Sequence, residues 1–308
     1  MNQGQNHHHH SPSLTVIQGD GVPSPEQIVG ARNLNGKRGL IIGMGLGGIA
    51  QGCLVALSAY GAQLAVASIN QKVLDHCEAF IDRYQLNVAA SLTCDVSRSS
   101  DVDILFSSLR SATGWDSIDF VIFSVAGADK HEIKNPLSEA TYEGMDKAMR
   151  TSAYPLIPIA ENCKSMMPNG GSVISIGYEG GERVIEHYDV MGPAKACMNS
   201  MSNYLAFEHG HRGIRFNVVS PGPIATRAAS GLPSFGSLLQ KSEDMAMLKK
   251  AHVDIYDVGQ AVAFMVSDAA LHVTAEIFHV DLGTHAVGMN QGHHLETVSE
   301  VVQAAKQA

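Results

Sequence analysis

Short apolar runs alternate with longer amphipathic stretches along most of the chain. Near-continuous apolar runs are typical of strands buried on both faces of a parallel sheet. The runs predict strands at 39–42, 63–68, 88–94, 120–125, 172–176, 214–219 and 276–280. The amphipathic stretches predict helices at 49–60, 71–84, 101–112, 141–167, 190–209 and 256–267. This alternation indicates an α/β fold, a single Rossmann-type doubly wound domain with a parallel sheet of about seven strands.

The pattern also suggests where the folded body begins and ends. Residues 1–34 are rich in Gly, Pro, Ser and Asn and predict a flexible N-terminal arm. Residues 35–289 form the predicted dinucleotide-binding catalytic domain, and residues 290–308 a C-terminal tail. The four histidines at positions 7–10 are typical of a tag or a polar tail rather than a metal site, so we predict no metal.

Composition narrows the class of function. Lys and Arg number 21 against 30 Asp and Glu, and a net charge of -9 disfavours nucleic acid and anionic membranes as partners. Neither a long apolar span nor a basic segment followed by an apolar one is visible, which predicts a cytoplasmic enzyme. The five cysteines are scattered and never spaced CxxC, which favours buried free thiols over disulfides.

The first predicted strand runs directly into a glycine-rich turn, GMGLGGIAQG. Gly43, Gly45, Gly47 and Gly48 precede the predicted helix. Ligands of a parallel sheet bind beyond the carboxyl ends of its strands, where glycines let the backbone approach a pyrophosphate at a helix N-terminus. The position of the turn therefore predicts a dinucleotide site, the alternative being a crowded strand-to-helix turn.

Three further turns follow predicted strands and can contact the same cofactor. After the second strand, Ser68, Asn70 and Lys72 stand where an acidic residue would favour NAD and an Arg would favour NADP, so NADH or NADPH fits, with NADH slightly preferred. The turns after the third and fourth strands add Asp95, Val96, Ser124, Val125 and Ala126. Asp95 can accept a hydrogen bond from adenine or cap the next helix.

Tyr188 and Lys195 are the candidate catalytic pair. They stand seven residues apart, two turns of a helix, so both can project from one face toward the cofactor crevice. A tyrosine beside an ammonium group is expected to be a proton donor of lowered pKa. For an arbitrary Tyr and Lys, an aromatic at a helix start and a solvated surface charge would be the simpler explanation.

The segment around this pair, SIGYEGGERVIEHYDVMGPAKACM, resembles the short-chain dehydrogenase/reductase superfamily. Most of that superfamily spaces its tyrosine and lysine by four, a position held here by Gly192, whereas a spacing of seven is the hallmark of the enoyl-acyl-carrier-protein reductases. Tyr178, ten residues before Tyr188, matches the second active-site tyrosine of those reductases. The run PGPIATRAASG resembles their segment beside the nicotinamide.

The resemblance implies hydride transfer from NAD(P)H to the β-carbon of a 2-enoyl thioester, on a small-molecule or carrier-bound acyl substrate. It assigns Tyr188 to the thioester oxygen, Lys195 to the ribose and Tyr178 to the acyl site. It adds to the cofactor contacts Ile49, Ile224 and Thr226. It further implies a homotetramer assembled through the helices at 141–167 and 190–209.

Departures from the family pattern leave the identity of the substrate open. The substrate can belong to a specialised pathway. The glycine turn is one residue shorter, Ile69 stands at the polar cofactor reader, and residues 249–259 lack the usual proline and arginines. An alternative is a carbonyl reductase or alcohol dehydrogenase of the same superfamily, although Gly177 replaces the serine that such enzymes use. A non-catalytic cofactor-binding protein is the alternative from another class, which the intact Tyr188 and Lys195 disfavour.

Overall fold

One parallel sheet organises the computed structural model, which describes residues 25–226, 235–249 and 252–288. The strands are β1 (Arg38–Ile42), β2 (Gln63–Ser68), β3 (Val88–Thr93), β4 (Phe120–Phe123), β5 (Gly171–Ile176), β6 (Ile214–Pro221) and β7 (Ile277–Val280). Their order is β3-β2-β1-β4-β5-β6-β7, which confirms the predicted doubly wound fold. The order reverses between β1 and β4, and a crevice for a ligand forms at such a switch point.

Helices cover both faces of the sheet. They are α1 (Pro25–Gly30), α2 (Ile49–Ala59), α3 (Gln71–Arg83), α4 (Ser99–Thr113), α5 (Lys130–Lys134), α6 (Tyr142–Ser152), α7 (Leu156–Met166), α8 (Met191–His209), α9 (Phe235–Met245) and α10 (Ile255–Val266). Alternate residues of one strand face opposite layers, since Leu40 and Ile42 pack with α4 and α7 whereas Ile41 packs with α2 and α10. Burial on both sides explains the uninterrupted apolar runs of the sequence.

Helices α2 and α10 pack unusually close together because Gly52 and Gly259 lie where they cross. A Cβ atom on Gly52 would lie 1.8 Å from the carbonyl oxygen of Ile255, and one on Gly259 would lie 2.3 Å from the carbonyl oxygen of Gly52. The side chain of Gln51 extends this contact, because its Nε2 donates to Tyr256 Oη at 3.0 Å and its Oε1 accepts from Gly47 N at 2.8 Å. Helix α10 is thereby connected to the glycine-rich turn.

The predicted helix at 141–167 is two helices. The backbone breaks between Ser152 and Leu156, where Pro155 precedes α7 and has no N–H group to continue the hydrogen bonding of α6. Helices α5 and α9 were not predicted, and α1 lies in a segment that was predicted to be a flexible arm.

The chain enters the folded body near Leu34, which is fully buried and whose N–H group donates to Tyr60 O at 2.9 Å. The predicted arm includes α1, while its first 24 residues and the predicted tail lie outside the described residues. The boundaries at 34 and 289 therefore stay predictions. In the described part of the chain, every helix is too short or too polar to cross a membrane.

Candidate functional site

A cleft of about 550 Å³ opens at the carboxyl ends of the strands, at the switch point between β1 and β4. Most residues predicted for the cofactor and the chemistry line it. They are Gly43, Gly45, Gly48, Ile49, Ser68, Ser124, Val125, Ala126, Tyr178, Tyr188, Lys195, Ile224 and Thr226. The sequence therefore located the cleft through residues that lie far apart along the chain.

The glycine-rich turn forms one wall of the cleft. Gly43 has a φ of +101°, and a Cβ atom there would lie 2.4 Å from Ser124 O, so only glycine fits between β1 and β4. Gly48 precedes α2 and has no side chain to cap it, which leaves first-turn N–H groups available to an anion. Gly47 lies in the same turn and its N–H group donates to Gln51 Oε1, and its contact with the cofactor stays a prediction. The wall suits a pyrophosphate.

Asp95 and Val96 follow β3, and their contact with the cofactor stays a prediction. The carboxylate of Asp95 accepts hydrogen bonds from Ser97 N at 3.1 Å and Ser97 Oγ at 2.7 Å, and the Ser97 hydroxyl is the largest cause of its lowered pKa. Val96 is buried in the hydrophobic core. Asp95 thus orders its own turn, and the N-cap residue of α4 is Arg98, whose side chain makes no capping hydrogen bond.

Ser68 lies at the predicted ribose end of the cleft. Its hydroxyl donates to Met44 O at 2.8 Å and is buried, which ties the end of β2 to the glycine-rich turn. Ile69, the next residue, is exposed. The residues described at this end therefore present neither a carboxylate nor a guanidinium that would select between the two nicotinamide cofactors.

Tyr188 precedes the helix that carries Lys195. The expectation that two helical turns separate them is wrong, because α8 begins at Met191 and only the carbonyl of Tyr188 takes part, accepting from Gly192 N at 3.0 Å. The ring of Tyr188 packs edge-on against Tyr178 with centroids 4.7 Å apart. A Cβ atom on Gly180 would lie 2.3 Å from the Tyr188 ring, so that glycine admits the ring.

The pKa of Tyr188 also differs from expectation. Burial raises the pKa of Tyr188, with a further rise from Tyr178, and burial raises the pKa of Tyr178 as well. Lys195 donates from Nζ to Ile176 O at 2.6 Å, and burial lowers its pKa to about 8. The expected lowering of the phenol pKa is therefore wrong for this state. Both hydroxyls are neutral at pH 7 and can donate a proton or a hydrogen bond.

A second chamber of about 350 Å³ adjoins the cleft. The two share Tyr178, Pro223 and Leu238 as lining residues. Sequence reasoning missed this chamber and the apolar cleft residues Met44, Leu46, Val73, Ile133, Pro223 and Leu238. Met44 and Leu46 stand within the glycine-rich turn and were open to prediction, whereas Ile133 and Leu238 lie on the two helices that the pattern did not reveal.

Potential metal ligands do not cluster within residues 25–226, 235–249 and 252–288. No group of three or more His, Cys, Asp or Glu side chains in those ranges can hold an ion. The five cysteines are free thiols.

Comparison with known proteins places these features in context. The family model described as enoyl-(acyl carrier protein) reductase matches residues 45–285. An NADH-dependent enoyl-[acyl-carrier-protein] reductase of Rhizobium meliloti is 37% identical over 83% of this chain and 93% of its own length.

Solved structures agree with this match. The enoyl-acyl-carrier-protein reductase of Anaplasma phagocytophilum in complex with NAD has a TM-score of 0.78 and 33% identity, covering 84% of this chain and 97% of that one. The Bacillus cereus enoyl-acyl carrier protein reductase with NADP+ and indole naphthyridinone has a TM-score of 0.79 and 32% identity, covering 83% of this chain and 99% of that one.

Proposed function

Because this chain belongs to the enoyl-(acyl carrier protein) reductase family, we propose that it reduces the carbon–carbon double bond of a 2-enoyl thioester with NADH or NADPH. The observation that carries the proposal is the packing of Tyr178 against Tyr188 in a cleft that Lys195 also lines. A serine in place of Gly177 would be expected of a carbonyl reductase, and its absence favours the enoyl substrate.

The dinucleotide fits the glycine-rich wall described above. Gly43 leaves room that a Cβ atom would fill, and the N-terminus of α2 offers N–H groups to the pyrophosphate. Gly45, Gly48 and Ile49 are its proposed neighbours, and the remaining proposed contacts are Ser68, Ser124, Val125, Ala126, Ile224 and Thr226. When bound, the reduced nicotinamide supplies the hydride that the β-carbon accepts.

Tyr188 is proposed to stabilise the charge that this reduction creates. Addition of hydride to the β-carbon moves the electron pair of the double bond toward the thioester oxygen, and a proton must then reach the α-carbon. The neutral hydroxyl of Tyr188 can donate a hydrogen bond to that oxygen within a buried wall, where a donor fixed in advance is most effective. Lys195 is proposed to hold the ribose hydroxyls, and Tyr178 to line the acyl site.

The experiment that tests the proposal compares two thioesters with each nicotinamide. Purified protein is mixed with crotonyl or acetoacetyl thioester and NADH or NADPH, and loss of absorbance of the reduced nicotinamide is followed. We expect oxidation with the crotonyl thioester. Reduction of the acetoacetyl thioester alone would instead identify a carbonyl reductase, and cofactor binding with no turnover would indicate a non-catalytic binding protein.

Assembly into a homotetramer is part of the proposal. Tyr204 and Phe207 on α8 have exposed fractions of 76% and 91%, and Ile157 on the neighbouring α7 has 57%. Large apolar side chains exposed together on one face are typical of surfaces that a partner covers. These two helices are the ones that the family resemblance implicates.

A cytoplasmic location is also proposed. The support is chemical, because all five cysteines are free thiols and reduced thiols persist in a reducing compartment. An acyl substrate carried on a protein or on coenzyme A is consistent with such a location.

A further inference from the structure

The chamber that adjoins the cleft carries charged side chains. Besides the three shared residues, its lining includes Glu179, Arg183, Glu186 and Lys241. Tyr178 lines both cavities. A ligand that extends from the cleft past Tyr178 therefore enters the chamber, where two carboxylates and two cations line the wall. The apolar side chains of the chamber, among them Val184, Ile185 and Met245, can pack against methylene groups, whereas the charged side chains suit a polar substituent on the chain.

The charges differ in how deeply they lie. The side chain of Glu179 is 13% exposed, whereas those of Arg183, Lys241 and Glu186 are 44%, 60% and 65% exposed. Lys241 Nζ pairs with Glu186 Oε2 at 2.6 Å, so these two charges satisfy each other at the mouth. Glu179, next to Tyr178, is therefore the charge that lies inside the chamber.

The largely buried carboxylate of Glu179 forms a long ion pair. Its ion-pair partner in the described part of the chain is Arg183, whose Nη1 lies 3.6 Å from Oε1, longer than a hydrogen bond, and donates instead to Val287 O at 3.4 Å. Burial is the main cause of the raised pKa of Glu179, the charge of Arg183 opposes the rise, and Asp281 adds to it. Among the described residues the Glu179 carboxylate has its ion pair with Arg183 and accepts no hydrogen bond, so it keeps lone pairs that a donor on a ligand can use.

We infer that the chamber takes the acyl chain of a 2-enoyl thioester bearing a hydroxyl or amino group just beyond the double bond, and that Glu179 selects this group by accepting its hydrogen bond. The inference rests on the proposed enoyl reduction. In this inference the thioester oxygen lies at Tyr188, and the carbons beyond the β-carbon extend past Tyr178, which lines both cavities, toward Glu179. An unsubstituted chain would cover the carboxylate and leave it without a donor, which disfavours that chain.

The experiment measures kcat/KM for crotonyl and 4-hydroxycrotonyl thioesters of coenzyme A with the full-length protein. We expect the wild type to prefer the hydroxylated substrate by about tenfold or more, as for a hydrogen bond to a charged group. Glu179→Leu should remove that preference, and Glu179→Gln, which keeps the shape of the side chain, should reduce it. Glu186→Leu is the matched control at the mouth and should keep it.

Three results would overturn the inference while the enoyl reduction itself stands. One is a wild type that turns over both thioesters without preference, and another is a preference that survives in Glu179→Leu or is lost equally in Glu186→Leu. The third concerns the carrier, whose arm also has hydroxyl and amide donors. If Glu179→Leu changes the ratio between crotonyl-coenzyme A and crotonyl-pantetheine but not between the acyl groups, the donor belongs to the carrier. No oxidation with any of these thioesters would instead overturn the proposed function.

Discussion

Removing the hydroxyl of Tyr188 separates its chemical role from its packing role. Phe at this position keeps the ring that contacts Tyr178 at 4.7 Å and removes only the donor. We expect Tyr188→Phe to lower kcat by about 100- to 1,000-fold, because one such donor contributes roughly 2.7 to 4 kcal/mol to the barrier. Binding of the nicotinamide, followed by its fluorescence, should change far less than turnover.

A matched control is Tyr142→Phe. Tyr142 is 92% exposed at the start of α6, so loss of its hydroxyl should leave both kcat and cofactor binding as they are. Turnover in Tyr188→Phe equal to that of the wild type would contradict the assignment.

At the residue scale, the sequence predicted which residues lie together in the cleft. It did not predict how their surroundings change their pKa values and hydrogen bonds. The spacing of Tyr188 and Lys195, with Tyr178 upstream, was enough to bring all three to the cleft. The direction of the tyrosine pKa could not be read from spacing, because it depends on burial and on the neighbouring Tyr178. The contact of Asp95 with adenine stays a prediction, and in the structure its carboxylate accepts hydrogen bonds from Ser97 within the same turn.

Among the helices, the crossing of α2 and α10 is expected to control the position of the glycine-rich turn. Gly259→Ala places a methyl group where 2.3 Å separates it from backbone that cannot move alone. We expect a loss of about 1 to 3 kcal/mol in the free energy of unfolding, as for an overpacked contact, measured by urea denaturation. We also expect a higher KM for the nicotinamide, because α10 reaches the turn through Gln51.

Gly210→Ala is the control for this substitution. Gly210 has helical dihedral angles, and a Cβ atom there has no neighbour within 4 Å, so alanine should leave stability unchanged or raise it by about 0.4 to 1 kcal/mol. A Gly259→Ala protein as stable as Gly210→Ala would show that the helices separate without cost.

The elements that the sequence predicted are those with a long periodic or uninterrupted apolar pattern. The five inner strands fall in this class because both of their faces are buried, whereas the edge strands β3 and β7 are partly exposed. The helix break at Pro155 was visible in the residue type, yet the apolar period on both sides hid it. Helix α5 has only five residues, too few to display a helical period. Helix α9 has Phe235, Leu238 and Leu239 at helical spacing, a signal that the prediction missed.

For the whole molecule, the exposed aromatic face of α8 predicts the state of assembly. We expect the wild type to scatter light with a mass four times that of the chain, and Phe207→Asp to lower that mass, because a charge in the interface is left without a partner. Tyr84→Asp is the control, since Tyr84 is 55% exposed at the end of α3, on the opposite face of the sheet. A monomeric wild type, or dissociation by the control alone, would contradict the proposal.

The overall architecture followed from the alternation of apolar and amphipathic segments, because a sheet with helices on both faces is what that alternation builds. The chamber beside the cleft could not be predicted from this alternation. Its walls come from the loop after β5, from α9 and from residues that follow β7, and no pattern along the chain brings these three segments together.

The glycine crossing of α2 and α10 also constrains how relatives of this chain can diverge. Most core contacts tolerate change in pairs, a larger side chain on one element being matched by a smaller one opposite. Here both partners already have the smallest side chain that exists, and the clash at either position is with backbone. A replacement at Gly52 or Gly259 has no compensating partner, so lineages that keep this helix pair should keep both glycines together or lose both through a change in helix spacing.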